Sequence, residues 1–478
     1  MIETIASDPS FAGALSKDFS YGFASASYQI EGGYQDDGRG PSIWDEHLKD
    51  QENGNEAVDS YHLFREDIKL LKLYGANSYR FSISWSRVKP LGGKDDPVNE
   101  PGLAYYDQLI DALLAEGITP WVTLYHWDLP LELEKRYGGW QTDDKSQIID
   151  DFVSYAGLLF ERYGDRVKNW ITLNEPHIFT MLSSFGLKQP WNRETDTWKT
   201  GHHQLLAHAY AVELYRQKYQ SSQGGKIGIT LNCDWCEPID DSPEAKACAQ
   251  RMLDAVLGWV GRSSIHGHLN QTLKEELGDL LPDFTDEEWK VVKGSSDFLG
   301  WNHYGTSYAT GKKFPFKDAD PRQFIFGCVE RTFEKDGQQI GIKGHNGHPY
   351  IVPWGFRKFM RYLNERYAKP CNVPIVITEN GFPVENEGDL PTLDDILEDT
   401  NRQVYFNSYL KEMIEAIRDD GVNLTGYFGW SLLDNLEWIF GYKPRFGVTH
   451  VDRENGFKRT PKQSAFVIKS IFDHAIAN

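Results

Sequence analysis

The stretch Asn169-Trp170-Ile171-Thr172-Leu173-Asn174-Glu175-Pro176 decides how this chain is read. From Trp170 to Leu173 it is aromatic, β-branched or apolar, the composition of a short strand buried on both faces. An amide, a carboxylate and a proline then end it. A second stretch, Ile375-Val376-Ile377-Thr378-Glu379-Asn380-Gly381, repeats the design with glycine as the terminator. In both, a glutamate stands at the end of an apolar run, just before a turn. At the carboxyl end of a barrel strand such a glutamate faces solvent and any bound ligand.

Six further runs share the pattern: Tyr21–Ser27, Ser78–Ser84, Thr119–Tyr125, Ile227–Asn232, Phe298–Asn302 and Leu424–Trp430. Each is short, apolar or β-branched, and bounded by Gly, Pro or Asn. Amphipathic stretches separate them. In Tyr61–Tyr74, Leu63, Phe64, Ile68, Leu71 and Leu73 recur around helical spacing, with Arg65, Glu66, Lys69 and Lys72 between them. Leu103–Glu116, Gln147–Tyr163, His202–Tyr219, Phe356–Tyr367, Gln403–Asp420 and Ser464–Ala477 read the same way. This alternation predicts an α/β fold, a (β/α)8 TIM barrel formed as one domain over residues 1–478. Long connections such as Gly305–Pro353 are expected as loops over its carboxyl-terminal face. The rival, an open doubly wound sheet, needs a glycine-rich turn after its first strand, and Tyr28-Gln29-Ile30-Glu31-Gly32-Gly33 lacks the phosphate-cradling spacing.

The 478 residues carry a formal net charge of −20, which argues against nucleic acid and anionic membrane surfaces as partners. No run reaches the ~18 apolar residues of a membrane span. The start, Met1-Ile2-Glu3-Thr4-Ile5, has no basic region leading into an apolar stretch, so a cytoplasmic location is expected. Five cysteines, Cys233, Cys236, Cys248, Cys328 and Cys371, are odd in number and too few for a disulfide framework. Cys233-Asp234-Trp235-Cys236 has no second pair to complete a metal site and reads as two reduced thiols near a strand end. His202, His203 and His208 lie on a helical stretch without an acidic companion at ligand spacing, and read as structural. No metal or cofactor is expected.

At the carboxyl ends of the predicted strands stand Gln29 and Glu31, then Arg80 and Trp85, then His126, Trp127 and Asp128. Asn174 and Glu175 follow, then Asn302 and Tyr304, Glu379, and Trp430 through Glu437 and Trp438. Amides, carboxylates, a histidine and several tryptophans suit a neutral polyhydroxylated ligand, whose hydroxyls need paired donors and acceptors and whose apolar face stacks on aromatic rings. Singly, each residue has a structural alternative: His126 a core histidine, Arg80 a core ion pair, the tryptophans packing. Their shared placement favours a site. Two carboxyls are what glycosidic cleavage needs, one to protonate the leaving oxygen and one to attack or stabilise the sugar cation.

With these motifs in place, the chain resembles glycoside hydrolase family one, the β-glucosidases and their relatives, and within it the intracellular fungal β-glucosidases. The matching segments are Phe23–Gly32, Tyr79–Arg87, His126-Trp127-Asp128, the two glutamate motifs, Asn302-His303-Tyr304 and Trp430–Trp438, in family order. The resemblance implies a retaining β-glucosidase without cofactor, acting on a small-molecule β-glucoside or oligosaccharide such as cellobiose or an aryl β-glucoside. It implies Glu175 as general acid/base and Glu379 as nucleophile. Gln29, His126, Asn174, Glu437 and Trp438 would bind the hydroxyls of the non-reducing glucose, with Trp127 in the same group. Trp430 would lie under the ring. Arg80 and Tyr304 would contact the nucleophile with Asn302 beside them, and His177 would face the aglycone at the entrance. The relatives that cleave sulfur glycosides carry Gln at the place of Glu175, so O-glycosides are implied. Glu437 replaces the residues that hold phosphate in 6-phosphoglycosidases, which implies a non-phosphorylated sugar.

Two segments depart from the family pattern. Ser183–Asn192 replaces a glycine-rich run, and Gly258–Asn270 stands where Asp-Pro and Gly-x-Tyr-Pro elements are usual. They predict an altered leaving-group preference with the glucose pocket unaffected. A transglycosylating enzyme, a β-galactosidase or β-fucosidase leaning, and a non-catalytic sugar binder are the alternatives. The presence of both glutamates disfavours the last.

Overall fold

The structure, a computed structural model, describes residues 2–183, 191–192, 195–316 and 321–477. Eight parallel strands close a barrel: β1 (Ser20–Ala24), β2 (Ser78–Ser82), β3 (Thr119–Tyr125), β4 (Asn169–Asn174), β5 (Lys226–Asn232), β6 (Leu299–Asn302), β7 (Ile375–Asn380) and β8 (Leu424–Trp430). Sequence neighbours pair in space all the way round, and β1 closes the ring against both β2 and β8. Helices α1 (Ser60–Leu73), α2 (Glu100–Ala115), α3 (Lys145–Tyr163), α4 (Asp196–Leu214), α5 (Pro243–Val256), α6 (Pro353–Leu363), α7 (Thr400–Arg418) and α8 (Gln463–Ala475) lie between the strands in sequence or follow the last. The expected (β/α)8 barrel is therefore the observed one.

The strands lack a polar face because each is covered twice. Every residue of β2 and of β7 is buried. One side of the ring packs on helices, and the other fills the lumen with Ala24, Trp121, Ile171, Phe298, Val376 and Phe428, capped by Trp430. Trp121 meets Phe298 and Phe428 edge-on at 5.3 and 5.4 Å. Burying each such aromatic contributes about 1.5–3 kcal/mol. A filled lumen leaves a ligand only the ends of the barrel. Closure is tight where β1 meets β2: a Cβ on Gly22 would lie 1.8 Å from the Ser78 carbonyl oxygen.

Several departures from the expected bounds shape the site. β1 stops at Ala24 rather than Ser27, and Ser27–Ile30 forms a helical turn. There the Ser27 amide donates to Ser82 Oγ (2.7 Å) instead of continuing a ladder. β7 runs on through Glu379 and Asn380, with a register shift against β6 between Ile377 and Glu379. β4 shifts against β5 between Ile171 and Asn174. Irregularities of this kind re-aim the side chains that follow them, here the two glutamate motifs. Gly305–Pro353, expected as loop, contains the strands Thr306–Lys313 and Val329–Thr332, which join Trp235–Pro238 in a three-stranded sheet. The polar Gly311-Lys312-Lys313 end hides the first of these from a reading by composition.

The cysteines and helical histidines fall where the sequence places them. All five cysteines are free, with Cys233 and Cys236 buried just beyond β5. His208 bonds Thr172 Oγ1 (2.7 Å) and Ser295 Oγ (3.1 Å), His203 the Trp140 carbonyl (2.9 Å), and His202 stacks on Phe284. All three tie α4 to its neighbours.

Candidate active site

A cavity of about 490 Å3 opens at the carboxyl end of the barrel. Ten residues of the expected set line it: His126, Trp127, Asn174, Glu175, Asn302, Tyr304, Glu379, Trp430, Glu437 and Trp438. Arg80 and Gln29 lie buried behind them.

Glu175 leaves β4 in the left-handed region (φ 45°, ψ 60°), a strained place for a residue with a Cβ. The helix Pro176–Leu182 starts directly after it, with proline at the one position where its missing N–H costs nothing. The Glu175 carboxyl is buried and accepts from Asn302 Nδ2 at 2.7 Å. Burial first, then the negative charge of Glu379, holds it well above the usual carboxylate range; the Asn302 bond and Arg80 pull back less strongly. Glu175 is therefore poised as a protonated acid.

Glu379 has the opposite surroundings. Its Oε1 accepts from Arg80 Nη1 at 2.5 Å and its Oε2 from the Tyr304 hydroxyl at 2.6 Å. Two accepting oxygens are the pattern of an ionised carboxylate. Arg80 is wholly buried and held in place: Nη1 also donates to the Thr378 carbonyl (2.9 Å), Nη2 to Asn174 Oδ1 (2.6 Å) and Nε to Thr123 Oγ1 (3.3 Å). Burial and the nearby Glu379 charge raise the Tyr304 phenol well above its ordinary value, so it stays a donor.

Asn302 connects the two motifs. Its Nδ2 donates to Glu175 and to Asn174 Oδ1 (3.1 Å), and its Oδ1 accepts from Thr378 Oγ1 (2.7 Å), next to Glu379. The expectation places it beside Arg80 and Tyr304; its direct bond is to Glu175, because the strand-end irregularities of β4 and β7 bring both motifs within its reach.

Around this pair stand unspent polar atoms and flat rings. His126 Nε2 receives Asn174 Nδ2 (3.1 Å), which leaves Nδ1 as the N–H, without a partner among the described residues. Burial, with Arg80 adding, drops this imidazole well below its ordinary range, so it is neutral. Gln29 Nε2 donates to the Leu436 carbonyl (2.7 Å) and Asn435 Oδ1 (3.2 Å), leaving a buried Oε1 unpaired. The His126 ring lies 6.0 Å from both Trp430 and Trp438, each tilted by 19°. Trp127 (φ 76°) and Trp438 (φ 51°) share the left-handed backbone of Glu175, three strained residues around one cavity. The half-buried Glu437 carboxyl makes no hydrogen bond among the described residues, and burial plus the Glu379 charge push it up to about 8.

Some expected contacts are corrected. Glu31 does not reach the cavity: it pairs with Arg87 (2.9 Å) and accepts from the Tyr106 hydroxyl (2.6 Å) in the core. Trp85 stacks on Tyr155 at 4.8 Å, and Asp128 accepts from Ser27 Oγ (2.9 Å), its carboxyl pushed by burial to about 7. His177, expected to face an aglycone, is buried beneath the entrance, its Nε2 3.3 Å from the Ile325 carbonyl and its ring edge-on to Trp259 at 6.1 Å. It supports Ile325, which does line the cavity. The atypical Gly258–Asn270 segment is repacked rather than loosened. Trp259 sits against Trp198 (5.0 Å), in space left by Gly201, where a Cβ would come within 2.2 Å of the indole. Of the other atypical segment, Ser183–Asn192, residues 184–190 lie outside the described residues.

The sequence reading misses the outer wall. Met252 and Val256 of α5, with Ile178, Ile325, Phe326, Phe440 and Phe446, make it largely apolar, while Asp234, His345, Asn346 and His348 supply polar atoms. Most come from connections without periodicity, so nothing in their local pattern marks them. Asp234 had a signal, its position at the end of β5. Among the described residues no three His, Cys, Asp or Glu side chains gather as a metal site.

The profile of Glycosyl hydrolase family 1 matches residues 11–475. The chain is 48% identical to Beta-glucosidase 1B of Phanerodontia chrysosporium, over 97% of this chain and 86% of that protein. A GH1 beta-glucosidase from the fungus Humicola insolens, solved in complex with glucose, superposes with a TM-score of 0.91 at 42% identity, covering 96% of this chain and 98% of that one. A rice beta-glucosidase mutant, solved in a covalent complex with Glc, gives a TM-score of 0.89 at 40% identity, again covering 96% and 98%.

Proposed function

Because the chain belongs to glycosyl hydrolase family 1, we propose that it is a retaining β-glucosidase that removes terminal β-D-glucosyl units by double displacement. The observation that carries this reading is the opposed state of two carboxyls on one cavity. Glu175 is held protonated by burial and by its neighbour's charge, while Glu379 has both oxygens accepting from Arg80 and Tyr304.

In the first step Glu175 gives its proton to the glycosidic oxygen as Glu379 attacks the anomeric carbon. The carbon–oxygen bond to the leaving group breaks and a glycosyl ester forms on Glu379. Esterification removes the negative charge that helps keep Glu175 protonated, so Glu175 becomes more acidic. It then takes a proton from water, which attacks the ester and releases the sugar. The scheme requires the carboxyls ~5–5.5 Å apart. The unpaired His126 Nδ1–H and Gln29 Oε1, with Asn174, Glu437 and Trp438, would meet the hydroxyls of the glucose unit, and Trp430 its apolar face. Glu437 brings no positive charge to this place, which disfavours a phosphorylated sugar. The covalent Glc complex of the rice relative and the glucose complex of the Humicola insolens enzyme support the scheme.

The apolar outer wall refines the substrate. Met252, Val256, Ile325 and Phe326 offer few hydrogen bonds to a second sugar, so aryl β-glucosides should be preferred to cellobiose as leaving-group donors. The decisive assay is Glu379→Gly on 4-nitrophenyl β-glucoside. Hydrolysis should vanish, and added azide should restore turnover with an α-glucosyl azide product. Retained native rates, or a β-configured azide, would reject the double displacement.

A further inference from the structure

The end of β5 is the strand end at which the sequence reading places no site residue, and the double displacement uses neither thiol of the Cys233-Asp234-Trp235-Cys236 segment that follows it. Asp234 lines the cavity, with its side chain 13% exposed. Its Oδ1 accepts from two successive backbone amides, Tyr304 N at 3.0 Å and Gly305 N at 2.9 Å. Hydrogen bonds to an ionised carboxylate are roughly twice as strong as neutral ones.

The other side of Tyr304 is held as well. Its carbonyl accepts from the hydroxyls of Tyr405 (2.8 Å) and Tyr409 (3.3 Å). Tyr405 in turn accepts from Asn380 Nδ2 (2.7 Å), beside Glu379. With its backbone gripped on both sides, Tyr304 places its hydroxyl 2.6 Å from Glu379 Oε2. Asp234 itself is bracketed by main-chain bonds, Cys233 N to the Asn302 carbonyl (3.2 Å) and Trp235 N to the Gly305 carbonyl (3.3 Å). The parallel pairing of Trp235–Pro238 with Thr306–Lys313 continues that register outward.

We propose that Asp234 is a positioning residue for the reaction: through the Tyr304 and Gly305 amides it fixes the Tyr304 hydroxyl against Glu379, and so orients the attacking carboxylate. This rests on the reading of Glu379 as nucleophile. Burial works against the Asp234 charge, but His348 (Nε2 3.9 Å from Oδ2), His303 (Nδ1 4.0 Å from Oδ1) and the two amides outweigh it and hold the carboxyl below its usual range. Arg331 also feels this charge, and so does Glu175, whose proton it helps retain.

The test is a double-mutant cycle of Asp234→Ala and Tyr304→Phe, with Asp234→Asn as the conservative control, on 4-nitrophenyl and 2,4-dinitrophenyl β-glucosides. Misplacing a reacting group by about 1 Å can cost ~100-fold, so Asp234→Ala should lower kcat by about 10–100-fold with little change in KM, alike for both leaving groups. In the Tyr304→Phe background the same change should cost no more than about 3-fold, since the hydroxyl it positions is gone. Asn keeps an oxygen for both amides. Asp234→Asn should retain kcat within about 5-fold of the parent, while the basic limb of its pH profile moves to lower pH because Glu175 loses a nearby anion. Multiplying effects in the cycle, a loss confined to KM that varies with leaving group, or an Asn variant as poor as Ala would each overturn the role. Should Asp234→Ala fail to fold, the Asn variant alone decides by its kcat and pH profile. Azide rescue of Glu379→Gly separates the two readings: if rescue works and the cycle is multiplicative, only Asp234 loses its role.

Discussion

Arg80→Met is the perturbation that most directly tests the electrostatics of the site. Arg80 is fully buried and donates to Glu379 (2.5 Å), Asn174 (2.6 Å), the Thr378 carbonyl (2.9 Å) and Thr123 (3.3 Å). Methionine fills much of the volume but leaves the Glu379 carboxylate buried without its cation. Removing one partner of a buried pair costs about 3–5 kcal/mol. Unfolding entropy near 2.1 cal/mol/K per residue gives about 1 kcal/mol/K for 478 residues. The melting temperature should therefore fall by ~3–5 °C. If the stranded charge is the cause, the double variant Arg80→Met/Glu379→Gln should recover about half of that loss. The assay is calorimetry at neutral pH on the parent, both single variants and the double. A single variant melting within about 1 °C of the parent would refute the uncompensated-charge argument. So would a double variant no more stable than Arg80→Met, since the cost would then lie in packing and hydrogen bonds.

Glu175→Gln should lower kcat/KM for cellobiose by ~10²–10⁴-fold and that for 2,4-dinitrophenyl β-glucoside far less, because an activated leaving group needs no acid; an equal loss on both would remove Glu175 as the proton donor. Glu437 is pushed up to about 8 from an ordinary 4.5, so the folded chain keeps a proton that the unfolded chain has lost. Its contribution is present below about 4.5 and is lost as pH rises towards 8. Glu437→Gln should flatten the decline of melting temperature across that window, and an unchanged slope would contradict it. Lys462 is buried between Glu387 (2.6 Å) and Asp434 (2.8 Å), and Asp434 also holds the Gly447 amide (3.0 Å). Lys462→Met should cost about 3–5 kcal/mol of stability by taking the nearest cation from the buried Asp434 carboxylate, while Glu387 keeps its pairing with Arg402. It should also raise KM, because the turn that carries Glu437 starts at Asp434; a lower melting temperature with an unchanged KM would show that the turn holds without it.

Much of the site is legible because strand ends are both local in sequence and shared in space. Glu175, Glu379, Asn302 and Tyr304 each follow or end an apolar run, and a barrel carries all such ends to one face. Their placement on one cavity follows from topology alone. His177 shows the limit: it sits two residues from Glu175, yet Trp259 and the Ile325 carbonyl draw it under the wall, and neither partner is near it in sequence. Met252 and Val256 were invisible for a related reason, since an apolar residue on an amphipathic helix reads as core until the opposite wall is known.

By itself the amino-acid order determined the barrel and the direction of its open face and singled out Glu175 and Glu379, because hydrophobic periodicity and turn residues act over a few positions. Tertiary structure alone decided the protonation of Glu175 and the aim of both carboxyls. Burial, the charge of one carboxyl on the other, the Arg80 clamp and the register shifts in β4 and β7 all arise between segments far apart along the chain. Electrostatic energies depend on separation and surroundings in space, which no local pattern records.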